Sequence, residues 1–499
     1  MNGGQRRVRR IAIFGKSHEL WPVAALLGKN LPADMELIAV EEPGADGPAA
    51  ITIRLDDPVL VRLGISAEDL HRADSAIFAL GTELRGWRGD DSRFFLTGSG
   101  NLPEVDDIAI HQIMLRAALT YGQPERLAYL YQPFRLPARI AEAGKFAFQS
   151  SDPRSPLSMM RPTVQLDRAD YAALLRNSFS TDRMDSVEGR PMAVHVAADS
   201  GKIDRVELDN GRAIDADLYM DVSGAVSGLT KLESPSDWHS ISDGLPFDRL
   251  FATEKAGESP KGERHEVAQA ITGGLLITTP LRGKSVSRLV CASSAMAGEE
   301  QQDLAGYDGN ATVFEPGYSR QPWIGNLVRL GSASSCFGPY LSADITMLHR
   351  QAAIFTDHMP VRLEMTVEAR EFNRRHLIAA QQIRDFVQLP FALNHRDDAP
   401  WIDVRDSKPS ESLAIRLDQF RSRGRFVAFE SEIFDEQSWI DLMIGFGLVP
   451  ERHDPMAQSF DMTSMARRLK KLSSAFDQVL ATVPAYEEAI GASGAVGLA

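Results

Sequence analysis

The stretch from Arg10 to Glu42, RIAIFGKSHELWPVAALLGKNLPADMELIAVEE, constrains the fold more than any other part of the chain. Ile11 to Phe14 is a short apolar run of the kind that makes a buried parallel strand, and Gly15 follows at once. Trp21 to Lys29 carries helical spacing, with Pro22 read as lying in an early turn, where a missing N–H is tolerated. A second apolar run, Met35 to Val40, ends on Glu41 and Glu42. Strand, helix and strand in this order form a βαβ unit, the shape that holds a dinucleotide at the first strand–helix turn. Most of the glycines that do the holding are absent.

Composition excludes several classes. At 499 residues the chain can bury a large core and divides into two or more lobes. Its formal charge of −14 gives no electrostatic help toward polyanions, so nucleic acid is not an expected partner. Cys291 and Cys336 are too few for a disulfide framework and lie in no metal-binding spacing, which makes a cytoplasmic setting the default. The basic start (Arg6, Arg7, Arg9, Arg10) resembles a signal n-region, but the apolar run behind it breaks at Gly15-Lys16-Ser17-His18-Glu19. No stretch approaches the roughly 18 apolar residues of a membrane span.

Further along, Ala49 to Trp87 reads as a helical pattern interrupted by turns at Gly64 and Gly81. The loop from Ser150 to Pro162 is the first plausible lobe boundary. A helix from Asp170 to Ser178 leads into alternating strands, with hairpin turns at Asp199-Ser200-Gly201 and Asp209-Asn210-Gly211. The apolar strand Leu218 to Met220 then meets the turn Asp221-Val222-Ser223-Gly224. Leu275 to Pro280 and Val286 to Ser293 are strand-like, a helix begins near Ala343, and the chain from Glu368 onward is largely helical. No solenoid repeat is present.

An ordered set of segments carries a family resemblance over nearly the whole length. They are LPFDR (Leu245 to Arg249), DADLYMDVSGA, WIGNLVRLGSASSCFGPYLSADI, IRDFVQLPFALNHRDDAPW, SLAIRLDQFRSRGRF and SWIDLMIGFGLVPERHDP. The sequence resembles the flavin-dependent tryptophan halogenases. The resemblance implies an α/β fold: a Rossmann-like FAD/NAD(P)-binding box of the flavoprotein monooxygenase kind (GR2-type), with an inserted β-sheet and a helical C-terminal lobe. The box would span residues 1–360, with inserted segments near 88–160 and 231–310, and the lobe residues 361–499. A small aromatic substrate and a homodimer are also implied. The family oxidises halide to hypohalous acid with a reduced flavin and passes it along a tunnel to a lysine beside the substrate.

Each of those steps has a place in this sequence. In the family's Gly-x-Gly-x-x-Gly turn Gly15 matches, while Ser17 and Leu20 stand at the second and third positions, where glycines admit the pyrophosphate and the close-packed helix. Leu20 is expected to push the helix away or to force a different turn. Glu41 stands where the family's ribose-binding acid lies, with a solvent-edge acid as the competing reading. The Gly-Glu-Ala-Thr strap aligns on Ala49-Ala50-Ile51-Thr52, keeping only the Thr. The catalytic lysine position is Ala79, read as a small core residue on a helix, and a methyl group can neither bind hypohalous acid nor carry halogen. The Trp-x-Trp-x-Ile-Pro motif, anchored on Pro280, has lost both tryptophans, with Leu275 and Ile277 among the residues preceding the proline. The Glu-Pro-Leu-Glu-Ser-Thr-Gly segment reads Gly338 to Asp344, with Leu341 at the second Glu and Asp344 placing a negative side chain near the anion site.

No residue is therefore assigned a catalytic role. Gly15, Ser17, Glu41, Asp221, Gly224, Gly331, Pro339 and Ser342 are the candidate cofactor-binding residues. FAD is the cofactor the resemblance implies, and with these replacements its retention is doubtful. A halogenase-fold protein that does not halogenate is the favoured reading, acting as a binding or partner subunit that pairs with itself or with an active relative. Its rival is a flavin-dependent oxidoreductase, a monooxygenase or a halogenase, acting on an aromatic or indole-type substrate. Other chemistry finds no support: there is no His-x-x-x-His metal pair, no Gly-x-Ser-x-Gly elbow, and Gly15-Lys16-Ser17 lacks the upstream glycine of a P-loop. His395-Arg396-Asp397-Asp398 reads as a salt-bridged turn, and the Arg421 to Arg425 cluster as a helix end closed by Gly424.

Overall fold

The computed structural model describes residues 7–493, apart from 33, 45–46, 90, 99, 101–103, 106, 180–183, 231–236, 258–262, 295–310 and 460. Much of the segment expected near 231–310 therefore lies outside the described residues.

The βαβ unit forms as expected: β1 (Arg10–Gly15), α1 (Ser17–Asn30) and β2 (Glu36–Glu41). β1 is buried from Ile11 onward because it lies inside a sheet, paired in parallel with β2 on one side and with the strand Leu218–Asp221 on the other. Phe14 faces Val40 and Asp221 across these two pairings. The sheet extends through Met184–Glu188 beyond β2 and through Leu327–Arg329 beyond Leu218–Asp221, all in parallel, and ends on the antiparallel strand Trp323–Ile324. α1 starts two residues after β1, so Pro22 stands in its second turn, where it offers no N–H to the helical ladder. Both hairpin turns form: Gly201 (φ +67°) joins Pro191–Val196 to Ile203–Leu208, and Gly211 (φ +80°) joins the latter to Ala213–Asp215.

The reading of Ala49 to Trp87 as helical is corrected. Only Pro58–Leu63 and Ala67–His71 are helices, and the flanks are strands Ala50–Arg54, Ile77–Ala79 and Gly81–Arg85. Ala50–Arg54 and Ile77–Ala79 both pair with Thr163–Asp167, and Gly81–Arg85 joins a seven-stranded sheet between Glu266–Ile271 and Arg93–Thr97. Gly81 explains the switch. Its φ of +150° suits glycine alone, and a Cβ there would lie 2.0 Å from the Leu96 carbonyl oxygen, so the position ends one strand and starts another.

The C-terminal part is helical, with Ala343–Asp357, Thr366–Ala392, Glu411–Arg423, Glu436–Gly445 and Met462–Thr482. Trp401 stacks on Phe391 with centroids 5.6 Å apart, and Trp87 meets both edge-on at 5.1 and 5.0 Å. These rings bring the Gly81–Arg85 sheet and the C-terminal helices into one apolar core, and such aromatic pairs add to the stabilisation from buried area alone. Arg396 and Asp398 form the expected salt-bridged turn at 2.8 Å, and Gly424 (φ +64°) caps Glu411–Arg423. The architecture is thus an α/β box with several sheets and a helical C-terminal lobe, the fold class that the motifs imply.

Candidate functional site

The C-terminal edge of β1 is where a ligand would meet this sheet. Gly15 is required there, though not by a ligand: a Cβ at this position would fall 2.1 Å from Val222 Cγ2, so the glycine lets the following turn close over the strand. Lys16 occupies the N-cap of α1 without a side-chain cap, and Ser17 is the first helical residue, half-buried. The helix starts directly after β1 with Leu20 fully buried in the core.

Asp221 is wholly buried and accepts hydrogen bonds from the backbone N–H groups of Ser227 (2.6 Å), Gly224 (2.9 Å) and Ser223 (3.3 Å). Burial raises its carboxyl above the usual range despite these donors. Its side chain is spent on holding the turn, which makes it a positioning residue. Gly224 (φ +86°) lies at the end of that turn with open space where a Cβ would project. Glu41 ends β2 half-buried, its carboxylate 3.9 Å from Arg176, while its neighbour Glu42 accepts from Ser223 Oγ.

Gly331 (φ +51°) donates its N–H to Gln351 Oε1 at 2.8 Å. A Cβ at Gly331 would meet Glu19 Oε1 at 2.9 Å. Glu19, in the first turn of α1, reaches across to accept from the N–H and the hydroxyl of Ser332, both at 2.9 Å. Sequence reading passed over this pair. The available signal was a carboxylate in the first turn of the dinucleotide helix, where the helix dipole favours negative charge.

Pro339 follows Gly338 (φ +81°), and Leu341 (φ +48°) and Ser342 (φ +58°) are consecutive non-glycine residues in the left-handed region. Such conformations cost energy and cluster at ligand sites. Ser342 is the N-cap of Ala343–Asp357 but makes no capping bond with its side chain. Asp344 accepts from the Phe337 N–H at 2.7 Å and keeps part of its surface open to solvent. Burial, reinforced by the negative charge of Glu19, raises its carboxyl to about 7 against the lowering effect of that N–H. The full negative charge expected at this position is therefore half-titrated near neutrality. Nearby, the Tyr340 hydroxyl is buried with no hydrogen-bond partner, and so is Thr52 Oγ1 of the strap.

Ala79 is 2% exposed on the strand Ile77–Ala79, not on a helix, and its carbonyl accepts from Thr163 Oγ1 at 3.3 Å. The adjacent Phe78 packs against Phe148 at 5.2 Å and Phe146 at 6.3 Å, and its N–H donates to the Tyr486 hydroxyl. Leu275 and Ile277, each 1% exposed, point into the core from Gly274–Leu281. Among the described residues no group of three potential metal ligands occurs.

The family model for tryptophan halogenase matches residues 10–462. Tryptophan 7-halogenase RebH of Lentzea aerocolonigenes is 24% identical over 90% of this chain and 91% of its own, and tryptophan 6-halogenase ThaL of Streptomyces albogriseolus is 24% identical over the same shares. BrvH, a flavin-dependent halogenase from Brevundimonas sp. BAL3, superposes with a TM-score of 0.87 over 97% of this chain and 99% of its own at 24% identity. A flavin-dependent halogenase from Xanthomonas campestris gives 0.85 over 97% and 98% at 25% identity.

These superpositions correct the doubt that the altered turn casts on FAD. The flavin-binding fold is retained across the whole chain, which favours FAD binding. The residues present fit such a dinucleotide at several points: space at Gly224, an acid at the end of β2, and the uncapped start of α1. Among the described residues, no helix is long and apolar enough to cross a membrane. The chain is a member of the tryptophan halogenase family.

Proposed function

We propose that this protein is a flavin-binding member of its family that does not transfer halogen, and that it serves as a binding or partner subunit. The observation that carries the reading is Ala79. Its methyl group is buried on a strand beside an aromatic cluster, where neither it nor Phe78, Phe146 or Phe148 offers an amine to hold hypohalous acid. Gly15, Ser17, Glu41, Gly224, Gly331, Pro339 and Ser342 would line the FAD site, with Asp221 fixing the turn. FAD, once reduced, supplies oxygen activation. The chain's own residues hold the dinucleotide, order the loop at Leu341 and Ser342, and hold a proton on Asp344.

Incubating the FAD-loaded protein with a flavin reductase, tryptophan or indole, and chloride or bromide tests the reading by mass spectrometry. No halogenated product is expected, and one bearing chlorine or bromine would overturn it. A second reading, oxidation of an aromatic substrate, draws on Asp344, since a carboxyl raised to about 7 can exchange protons at neutral pH. Halide-independent oxygen incorporation into an aromatic compound would favour that reading.

A further inference from the structure

A cleft of about 700 Å³ lies between the 239–244 segment, one face of the helix Thr366–Ala392, and residues 404–415. None of its lining residues is among those placed at the flavin-type cleft. The helix contributes Leu377, Gln381, Arg384, Gln388 and Ala392, spaced three or four residues apart and so on one face. The size falls within the range of small-molecule sites.

Two amides give the cleft its character. Gln388 is 8% exposed, lines the cleft, and makes no side-chain hydrogen bond; Gln381 lines it as well and has none. An amide that lines a cleft without an internal partner keeps its donor and acceptor for a ligand. Gly244 seats the Gln388 amide: a Cβ there would lie 2.1 Å from Nε2, so the glycine lets the side chain pack flat against the backbone at that wall.

The charged groups argue against a carboxylate as the preferred occupant. Arg384 is already committed to Asp385, at 2.9 and 2.7 Å, and to Ser412 Oγ at 3.2 Å. The remaining lining cations, Arg320 and Lys408, share the wall with as many acids, Asp243 and Glu411, and Arg320 contacts His239 Nδ1 at 3.2 Å. Ile241, Tyr318, Val404 and Leu413 supply an apolar floor. Each glutamine amide offers both a donor and an acceptor, the complement of a peptide group.

We infer that this cleft is a binding site for an uncharged, amide-bearing ligand with an apolar side group, that is, a short peptide segment or a peptide-like amide, held through Gln381 and Gln388.

The test titrates the full-length protein, monitored by calorimetry and ligand-observed NMR, with N-acetylphenylalaninamide and, separately, with 3-phenylpropionate. The neutral diamide is expected to bind and to lose at least fivefold in affinity in Gln388→Met, which keeps the volume and removes the amide. Gln381→Met, on the more exposed part of the same face, gives a second variant should Gln388→Met unfold. Three results would overturn the inference: no binding of the diamide up to about 20 mM, binding unchanged in both variants, or preference for the carboxylate with loss in Arg320→Ala or Lys408→Ala.

Discussion

The two sides of the β1 edge are built on opposite principles. On the Asp221 side each polar group is used: one buried carboxylate takes three backbone N–H groups, and Gly15 admits Val222 at close range. On the Asp344 side the structure leaves capacity unspent, with Tyr340 Oη unpartnered among the described residues, Leu341 and Ser342 in left-handed conformations, and a carboxyl raised to about 7. A saturated region is a frame, and an unsaturated one is a place for something else. The difference assigns architecture to the turn after Leu218–Asp221 and ligand contact to the loop before Ala343–Asp357.

The largest effect should come from breaking the frame. Asp221→Ala removes a buried acceptor from three N–H groups and is expected to destabilise the protein by about 3–5 kcal/mol. Urea unfolding reads this directly. A loss below about 1 kcal/mol would mean that the turn is held by its backbone alone. Gly15→Ala follows at about 1–3 kcal/mol, because its methyl must displace Val222 Cγ2 from 2.1 Å in a packed interior. Thermal unfolding of Gly15→Ala beside a Gly228→Ala control, whose Cβ would meet nothing within 4 Å and whose φ is not left-handed, separates crowding from the cost of losing a glycine.

Legibility in the sequence divides along the same line. The βαβ unit was readable because a parallel strand buried on both faces needs a continuous apolar run, and Ile11 to Phe14 is one. The hairpins at Gly201 and Gly211 were readable because their turn chemistry is local. The strands Ile77–Ala79 and Gly81–Arg85 were misread, since their pairing with Thr163–Asp167 and Arg93–Thr97 decides them and no local period reports it. At the site, Ala79, Leu275 and Asp344 were visible as residue types. What could not be read was non-local: that Gly15 serves Val222, and that Glu19 reaches Ser332 across more than 300 positions of chain.

Glu19 sharpens the comparison because it is a charge on the ligand side of α1. A pyrophosphate at the start of α1 would feel its carboxylate, and like charges in a partly desolvated cleft repel. Glu19→Gln keeps a hydrogen bond to Ser332 and removes the charge. FAD should bind roughly fivefold tighter, about 1 kcal/mol, in a titration followed by flavin fluorescence quenching. Unchanged or weaker binding would place Glu19 with the frame, as a clamp between α1 and Ser332.

The smallest expected effect on binding is a pH dependence of FAD affinity at Asp344. Its carboxyl sits near 7 in the folded protein against an ordinary value of 3.8, so between those limits the folded state carries a proton that the unfolded chain has released. Stability from this group therefore rises as pH falls from about 7 toward 4, and is lost as pH climbs through 7. The same ionisation adds negative charge to the cleft. FAD affinity should thus fall by roughly twofold between pH 6 and pH 8, a modest change because the charge is partly screened by solvent. Asp344→Asn is neutral throughout and keeps an acceptor for the Phe337 N–H, so both slopes should flatten. Carrying the comparison into Glu19→Gln separates the two acids: with the neighbouring charge gone, the wild-type inflection should move to lower pH, since Glu19 helps to raise the Asp344 carboxyl. An inflection that persists in Asp344→Asn would assign the titration to another group and return Asp344 to the frame.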